Sequence, residues 1–259
     1  MKTRSILIQM IITALSFILL SATGIPDVKK EFVMFGDNLF AARYEVTNQE
    51  YSEFLNDLIS TRQTEKYLKC KYDSTQWIRK FPIYNNETLP NNYHSNPAYN
   101  KYPIVNISLE GALSYCSWLT DKYNSAAKRN YKKILFRLPT ESEWEKLSCP
   151  IPGYKLPWSG ADNNGKTFLA NIKIKDALTG KDNYMIDGGL TTIMTGHYKP
   201  NRLGIYDVIG NISEMTSDGK QKGGSWDNYI DECNIDETQS YTLPDPRVGF
   251  RIIMEIKEK

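Results

Sequence analysis

Two acids, Asp207 and Glu214, lie within an eleven-residue run, Gly204-Ile-Tyr-Asp-Val-Ile-Gly-Asn-Ile-Ser-Glu214, which combines a short apolar stretch with a glycine turn. A hard cation such as calcium is held by carboxylates and backbone carbonyls arranged along an irregular loop. Asp207 and Glu214 flank Gly210 and Ile212 in that manner. Spacing by itself favours the plainer reading, ordinary loop or capping carboxylates. Close behind stands Gly223-Gly-Ser225-Trp226, and Cys233 follows seven residues after that tryptophan. The other thiols are Cys70, Cys116 and Cys149, with no Cys-x-x-Cys spacing for a metal or redox motif. In an oxidising compartment these four permit up to two bridges in three connectivities. His94 and His197 sit far apart, so no histidine cluster is available for iron or zinc.

Other chemistries leave no mark. The chain lacks a phosphate-cradling Gly-x-x-x-x-Gly-Lys-Ser/Thr, a Gly-x-Ser-x-Gly elbow and a His-Glu-x-x-His. A formal charge of +2, from 32 basic and 30 acidic residues spread along the chain, gives no electrostatic footprint for nucleic acid. Residues 1–24 read as a signal peptide: Lys2 and Arg4 precede an apolar run from Ile6 to Leu20, then Ser21-Ala-Thr-Gly24. Gln9, Thr13 and Ser16 interrupt that run, which is short for a membrane span, so no stable transmembrane segment is expected after cleavage. Export is therefore expected, to the periplasm, cell surface or exterior.

Four motifs in order, Tyr44-Glu-Val-Thr-Asn-Gln-Glu-Tyr51, Arg137-Leu-Pro-Thr-Glu-Ser-Glu-Trp144, Gly204 to Trp226, and Arg247-Val-Gly-Phe-Arg251, resemble the formylglycine-generating enzyme (sulfatase-modifying factor) family over roughly residues 32–254. The resemblance implies a compact, loop-rich α+β domain, distantly similar to C-type lectins. It also implies two structural calcium ions. Asp207 and Glu214 would hold the first by side chain, with the carbonyls of Gly210 and Ile212. Asn171, Ile172, Asp187 and Gly189 match the second set. Family cysteines at the positions of Cys116 and Cys149 bridge to late-chain partners, but those positions are Thr238 and Ile252 here, so that pairing does not carry over.

The family's copper(I), held between two cysteines beyond the Gly-Gly-Ser motif, is another matter. Cys233 occupies the second position, but Asn228 stands at the first, and an amide oxygen is a poor ligand for a soft metal. Ser213 stands where the family has an active-site tryptophan and Tyr229 where it has a histidine; Ser225 alone survives. No catalytic residue is therefore assigned to this degenerate site, and copper is not expected. Some gliding-motility and type IX secretion components resemble this chain and use the domain without the copper cysteines.

The elements that must position these loops are legible at three places. Thr47-Asn-Gln-Glu50 and Thr140-Glu-Ser-Glu143 are capping boxes, and Ser108 is an N-cap; each opens a helix with apolar residues at helical spacing. Glu31 to Phe35, Leu39 to Val46 and Ile104 to Ile107 read as strands. The tract Thr61 to Asn100, polar and punctuated by Pro82, Pro90 and Pro97, reads as a long surface excursion, and Pro150 to Glu255 as loops and short strands. Asn-x-Ser/Thr triplets at Asn86, Asn106 and Asn211 carry little weight as glycosylation sites. The chain thus reads as a signal peptide, 1–24, and one domain, 25–259. The expected role is an exported, non-catalytic, calcium-stabilised binding or structural module at the cell envelope, with an envelope protein or glycan as partner. The alternative is an oxidase converting a sulfatase cysteine to formylglycine.

Overall fold

The computed structural model describes residues 26–84, 89–149, 152, 154–158 and 168–259. The expected signal peptide and the Asn86 triplet lie outside the described residues. The chain is a mixed α+β domain. Its main helices are α1 (Asn48–Ser60), α2 (Thr64–Cys70), α3 (Thr75–Lys80), α4 (Leu109–Ser125) and α5 (Glu141–Ser148). The strands are β1 (Phe32–Gly36), β2 (Leu39–Ala42), β3 (Lys133–Arg137), β4 (Ile174–Lys175), β5 (Asp182–Asn183), β6 (Ser213–Met215), β7 (Lys220–Lys222), β8 (Gln239–Ser240), β9 (Val248–Gly249) and β10 (Ile253–Glu258).

The three expected helix starts are present with their chemistry. Thr47 Oγ1 accepts from the Glu50 N–H at 3.3 Å while the Glu50 carboxylate accepts from the Thr47 N–H at 2.8 Å. Thr140 and Glu143 repeat this reciprocity at the start of α5, and Ser108 accepts from the Gly111 N–H ahead of α4. Such a cap contributes about 1 kcal/mol by satisfying amide donors that the first helical turn leaves open. Helix α1 then buries Tyr51, Phe54, Leu55 and Leu58, and α4 buries Ala112, Tyr115, Cys116 and Leu119. Tyr51 stacks on Tyr115 at 5.8 Å between ring centres, and Phe250 meets both edge-on. Each large side chain so removed from water contributes roughly 1.5–3 kcal/mol.

Two four-stranded sheets frame the site. In the first, ordered β1-β2-β10-β3, the last strand of the chain runs between β2 and β3 and is antiparallel to both. In the second, ordered β8-β7-β6-β9, β6 pairs in parallel with β9, setting Ser213 opposite Val248 and Glu214 opposite Gly249. The chain leaves β9 and reaches β10 through Phe250 and Arg251, so one short segment ties the two sheets together at the level of Glu214.

Two expectations are corrected. Ile104 to Ile107 is not a strand: Asn106 adopts a left-handed conformation (φ 61°), which breaks extended geometry, and only an isolated bridge, Thr47 to Pro103, forms beside it. Residues 61–100 are not merely a surface excursion. Helices α2 and α3 form there, and Trp77 and Tyr93 are fully buried in a third core cluster with Val105, Ile212 and Trp226. Two or three aromatic anchors suffice to fasten a polar tract whose own periodicity is weak.

Candidate functional site

The loop from Gly204 to Glu214 is threaded through the interior by its left-handed residues. Asp207 (φ 52°), Gly210 (φ 76°) and Asn211 (φ 59°) all lie in that region. At Gly210 a Cβ would fall 2.4 Å from the Asn171 carbonyl oxygen, so only glycine allows the two segments to cross. Asn211 then acts as a hub. Its backbone N–H donates to the Asn171 carbonyl at 2.8 Å, its Oδ1 accepts from the Ile193 N–H at 2.8 Å, and its Nδ2 donates to Glu45 Oε1 at 2.9 Å. Sequence reading assigns Asn211 only a weak glycosylation triplet; the neighbouring Gly210 is the one local signal of its buried role.

The structure separates the two acids that the motif groups together. Glu214 accepts from the Arg251 guanidinium and from the Trp144 indole N–H at 2.8 Å, so both of its oxygens have donors. Asp207 turns instead toward Gly196, whose N–H it accepts at 2.5 Å through Oδ2, while Oδ1 has no donor. Burial pushes the Asp207 carboxyl up to about 6, despite the opposing Gly196 hydrogen bond and Arg251 charge. Glu45, buried beside them, is held well above the usual carboxylate range, first by desolvation and then by the Asp207 charge.

The second set comes together. Asp187 accepts from the Ile172 N–H at 2.7 Å and from the Gly189 N–H at 3.2 Å, and burial raises its pKa. Asn171 donates through Nδ2 to the Thr191 carbonyl at 2.8 Å and leaves Oδ1 without a donor, 3.0 Å from where a Gly189 Cβ would lie. Buried acceptor oxygens without donors suit a hard cation, which satisfies acceptors only. On that chemistry the Asn171, Ile172, Asp187 and Gly189 set fits calcium. The Asp207, Gly210, Ile212 and Glu214 set fits less well, because Glu214 is committed to Arg251. Among the described residues, no group of three or more His, Cys, Asp or Glu side chains is placed to hold a metal ion, so a cation here would depend on amide and carbonyl oxygens.

The loop from Ser225 to Cys233 forms a closed set of neutral contacts. Ser225 Oγ donates to Asn228 Oδ1 at 2.7 Å, and the Ser225 N–H donates to the same oxygen at 3.1 Å. Cys233 is fully buried in a cluster with Trp144, Leu147 and Ile209, and burial pushes its thiol up to about 12. Ser213 is buried, its N–H donating to the Arg247 carbonyl, and the exposed Tyr229 hydroxyl donates to Asp182. All four cysteines are free. The disulfides that the cysteine count permits do not form, since Cys70 and Cys116 belong to one core cluster and Cys233 to another.

Residues 28–256 match the family model described as sulfatase-modifying factor enzyme 1-like domain. The chain is 26% identical over 204 residues to the formylglycine-generating enzyme of Mus musculus, covering 70% of this chain and 49% of that protein. It is 26% identical over 142 residues to the inactive C-alpha-formylglycine-generating enzyme 2 of Bos taurus, covering 51% of this chain and 40% of that one. The chain therefore spans about half the length of the curated relatives it matches. Among solved structures, CarF superposes with a TM-score of 0.55 at 17% identity, over 85% of this chain and 87% of CarF, a likeness of fold alone.

Proposed function

The chain belongs to the family of sulfatase-modifying factor enzyme 1-like domains, and from that premise we propose that it is an exported, non-catalytic member acting as a binding or structural module at the cell envelope. One observation carries this reading. The loop that would present two thiols presents Cys233 and the amide of Asn228, and that amide oxygen is already taken by Ser225. Copper(I) is selected by soft, paired ligands, and the thiolate is the ligand form of cysteine. A buried thiol pushed up to about 12 stays protonated at neutral pH. Similarity to proteins named both as formylglycine-generating enzymes and as an inactive one makes loss of the activity within this fold a reasonable course.

Calcium belongs to the same proposal. It would be held by Asn171 and Asp187 with the carbonyls of Ile172 and Gly189, and by Asp207 with those of Gly210 and Ile212, while Glu214 serves Arg251. The unpartnered Asn171 Oδ1 and Asp207 Oδ1 support this. Export rests on the charged start, apolar run and small residues of the first 24 positions, and the intact mass of protein from its native host would test cleavage near Gly24.

The decisive experiment incubates the purified protein with copper(I), oxygen and a sulfatase-type cysteine peptide, and looks for formylglycine by mass spectrometry. No product is expected. An Asn228→Cys variant run alongside should gain copper binding if the missing thiol is the main defect. Turnover by the unmodified protein would overturn the proposal in favour of a formylglycine-generating oxidase.

A further inference from the structure

A cavity of about 540 Å³ opens between the start of the domain and the exposed edges of α1 and α4. Its walls carry five carboxylates, Asp27, Glu31, Glu45, Glu50 and Glu53, against one ammonium, Lys122. That excess is local, since the whole chain is close to neutral. Lys122 does not neutralise it fully, because its ammonium also sits over the Trp118 ring at 4.7 Å. Acidity alone would mark only a solvated face; Glu45 makes the difference. It is 1% exposed, its Oε1 is held from within by Asn211 Nδ2 at 2.9 Å, and its Oε2 has no hydrogen-bond partner. A buried carboxylate oxygen left without a donor costs about 1–3 kcal/mol, a deficit that a bound donor would remove.

The donor's chemistry follows from the geometry. Among the described residues no three acidic, cysteine or histidine side chains converge to hold a metal ion. A guanidinium seeks both oxygens of a carboxylate in its planar fork, but only one oxygen of Glu45 is open. A compact ammonium on an aliphatic stem needs just one. The stem would lie along Tyr44 and Trp118, which line the same cavity, and a ring face attracts a cation by about 0.5–1 kcal/mol at such half-open sites. Beyond Trp118 a second groove continues, sharing Glu53, Trp118 and Lys122 with the first.

We propose that this cavity binds a primary alkylammonium group on Glu45 Oε2, supplied by a lysine side chain of a partner protein or by a free polyamine. The site lies apart from the Ser225 to Cys233 loop and holds whether or not that loop is catalytic.

The test is calorimetric titration of the purified protein with three probes: spermidine, an acetylated and amidated Ala-Lys-Ala peptide, and the same peptide with norleucine for lysine. Saturable one-to-one binding of the lysine peptide, of spermidine or of both is expected, with the norleucine peptide at least tenfold weaker. Preference for the peptide identifies a protein lysine as the source, and preference for spermidine a free amine. Glu45→Gln keeps the hydrogen bond to Asn211 and should weaken binding at least tenfold, whereas Glu53→Gln at the rim should weaken it no more than about threefold. Should Glu45→Gln fail to fold, the double variant Glu31→Gln, Trp118→Ala should show the tenfold loss instead. Equal binding of the norleucine peptide, unchanged affinity in these variants, or no saturable binding of either amine up to millimolar concentration would overturn the proposal.

Discussion

The Arg251 guanidinium closes on the Glu214 carboxylate, with Nη2 at 2.6 Å from Oε1 and Nε at 3.1 Å from each oxygen, and both side chains are at most 1% exposed. Remaining guanidinium donors reach the Ala42 carbonyl at 3.1 Å and the Tyr206 carbonyl at 2.7 Å. One side chain thereby joins β2, the Gly204 to Glu214 loop and β6. A buried pair is weak evidence of net stability, because desolvating both ions offsets much of their attraction; removing one partner is costly because the other charge is stranded.

Arg251→Met and Glu214→Leu should therefore each destabilise the fold by about 3–5 kcal/mol, read from urea unfolding. The double variant should lose less than the sum of the two. Arg251→Lys should not rescue, since an ammonium cannot span Glu214 and two carbonyls at once. Additive losses in the double variant would mean that the two groups are not energetically coupled.

Calcium at the Asn171 and Asp187 set should raise the melting temperature, and chelator should lower it. A ligand that binds only the native state adds about 2.7 kcal/mol at a hundredfold excess over its dissociation constant. Asp187→Asn should remove most of that shift. Glu214→Gln should destabilise the protein with and without calcium alike, because its carboxylate answers Arg251. Identical melting curves in calcium and in chelator would discard the calcium proposal.

Acid should weaken the fold through His94. Its ring lies 4.0 Å from Tyr72 and 4.9 Å from Tyr93 between ring centres, and Nε2 has no partner. Burial holds its pKa at about 3, below the ordinary 6.5. The unfolded chain then binds a proton between pH 6.5 and 3 that the folded chain does not, so stability falls as pH drops through that window. By pH 5 the loss should be about 1–2 kcal/mol. In His94→Gln the difference in unfolding free energy between pH 7 and pH 5 should shrink by that amount; an unchanged difference would show that other groups set the acid limb.

What could be read from the chain follows the range of the interactions. The caps at Thr47, Ser108 and Thr140 are local, three residues from donor to acceptor, and each helix begins where its cap stands. Asn211 depends on partners 18, 40 and 166 residues away, which no spacing rule reaches. The buried role of residues 61–100 was equally hidden, because Trp77 and Tyr93 become core only when Trp226 arrives from far along the chain. At the site itself, spacing put Asp207 and Glu214 in one set, and folding assigns Glu214 to Arg251, a residue whose motif was visible but whose partner was not.

Gly224 and Cys233 should prove inseparable. Gly224 is left-handed (φ 67°), and a Cβ there would lie 2.3 Å from Cys233 Sγ and 2.9 Å from its Cα. The overlap includes backbone, so it cannot be relieved by a rotamer change, and the conformation itself strains any L side chain. Gly224→Ala should therefore destabilise by 3 kcal/mol or more, to the order of magnitude of a severe packing clash added to backbone strain. The same packing seals the thiol. Cys70, Cys116 and Cys233 are buried and Cys149 is partly exposed, so an aromatic disulfide reagent at pH 8 should label Cys149 in the native protein and the other three only on unfolding. In Gly224→Ala under native conditions, Cys233 should become the next thiol to react, identified by peptide mapping. Fast labelling of Cys233 in the unaltered protein would show that the pocket opens readily, and would return that thiol to consideration as a metal ligand.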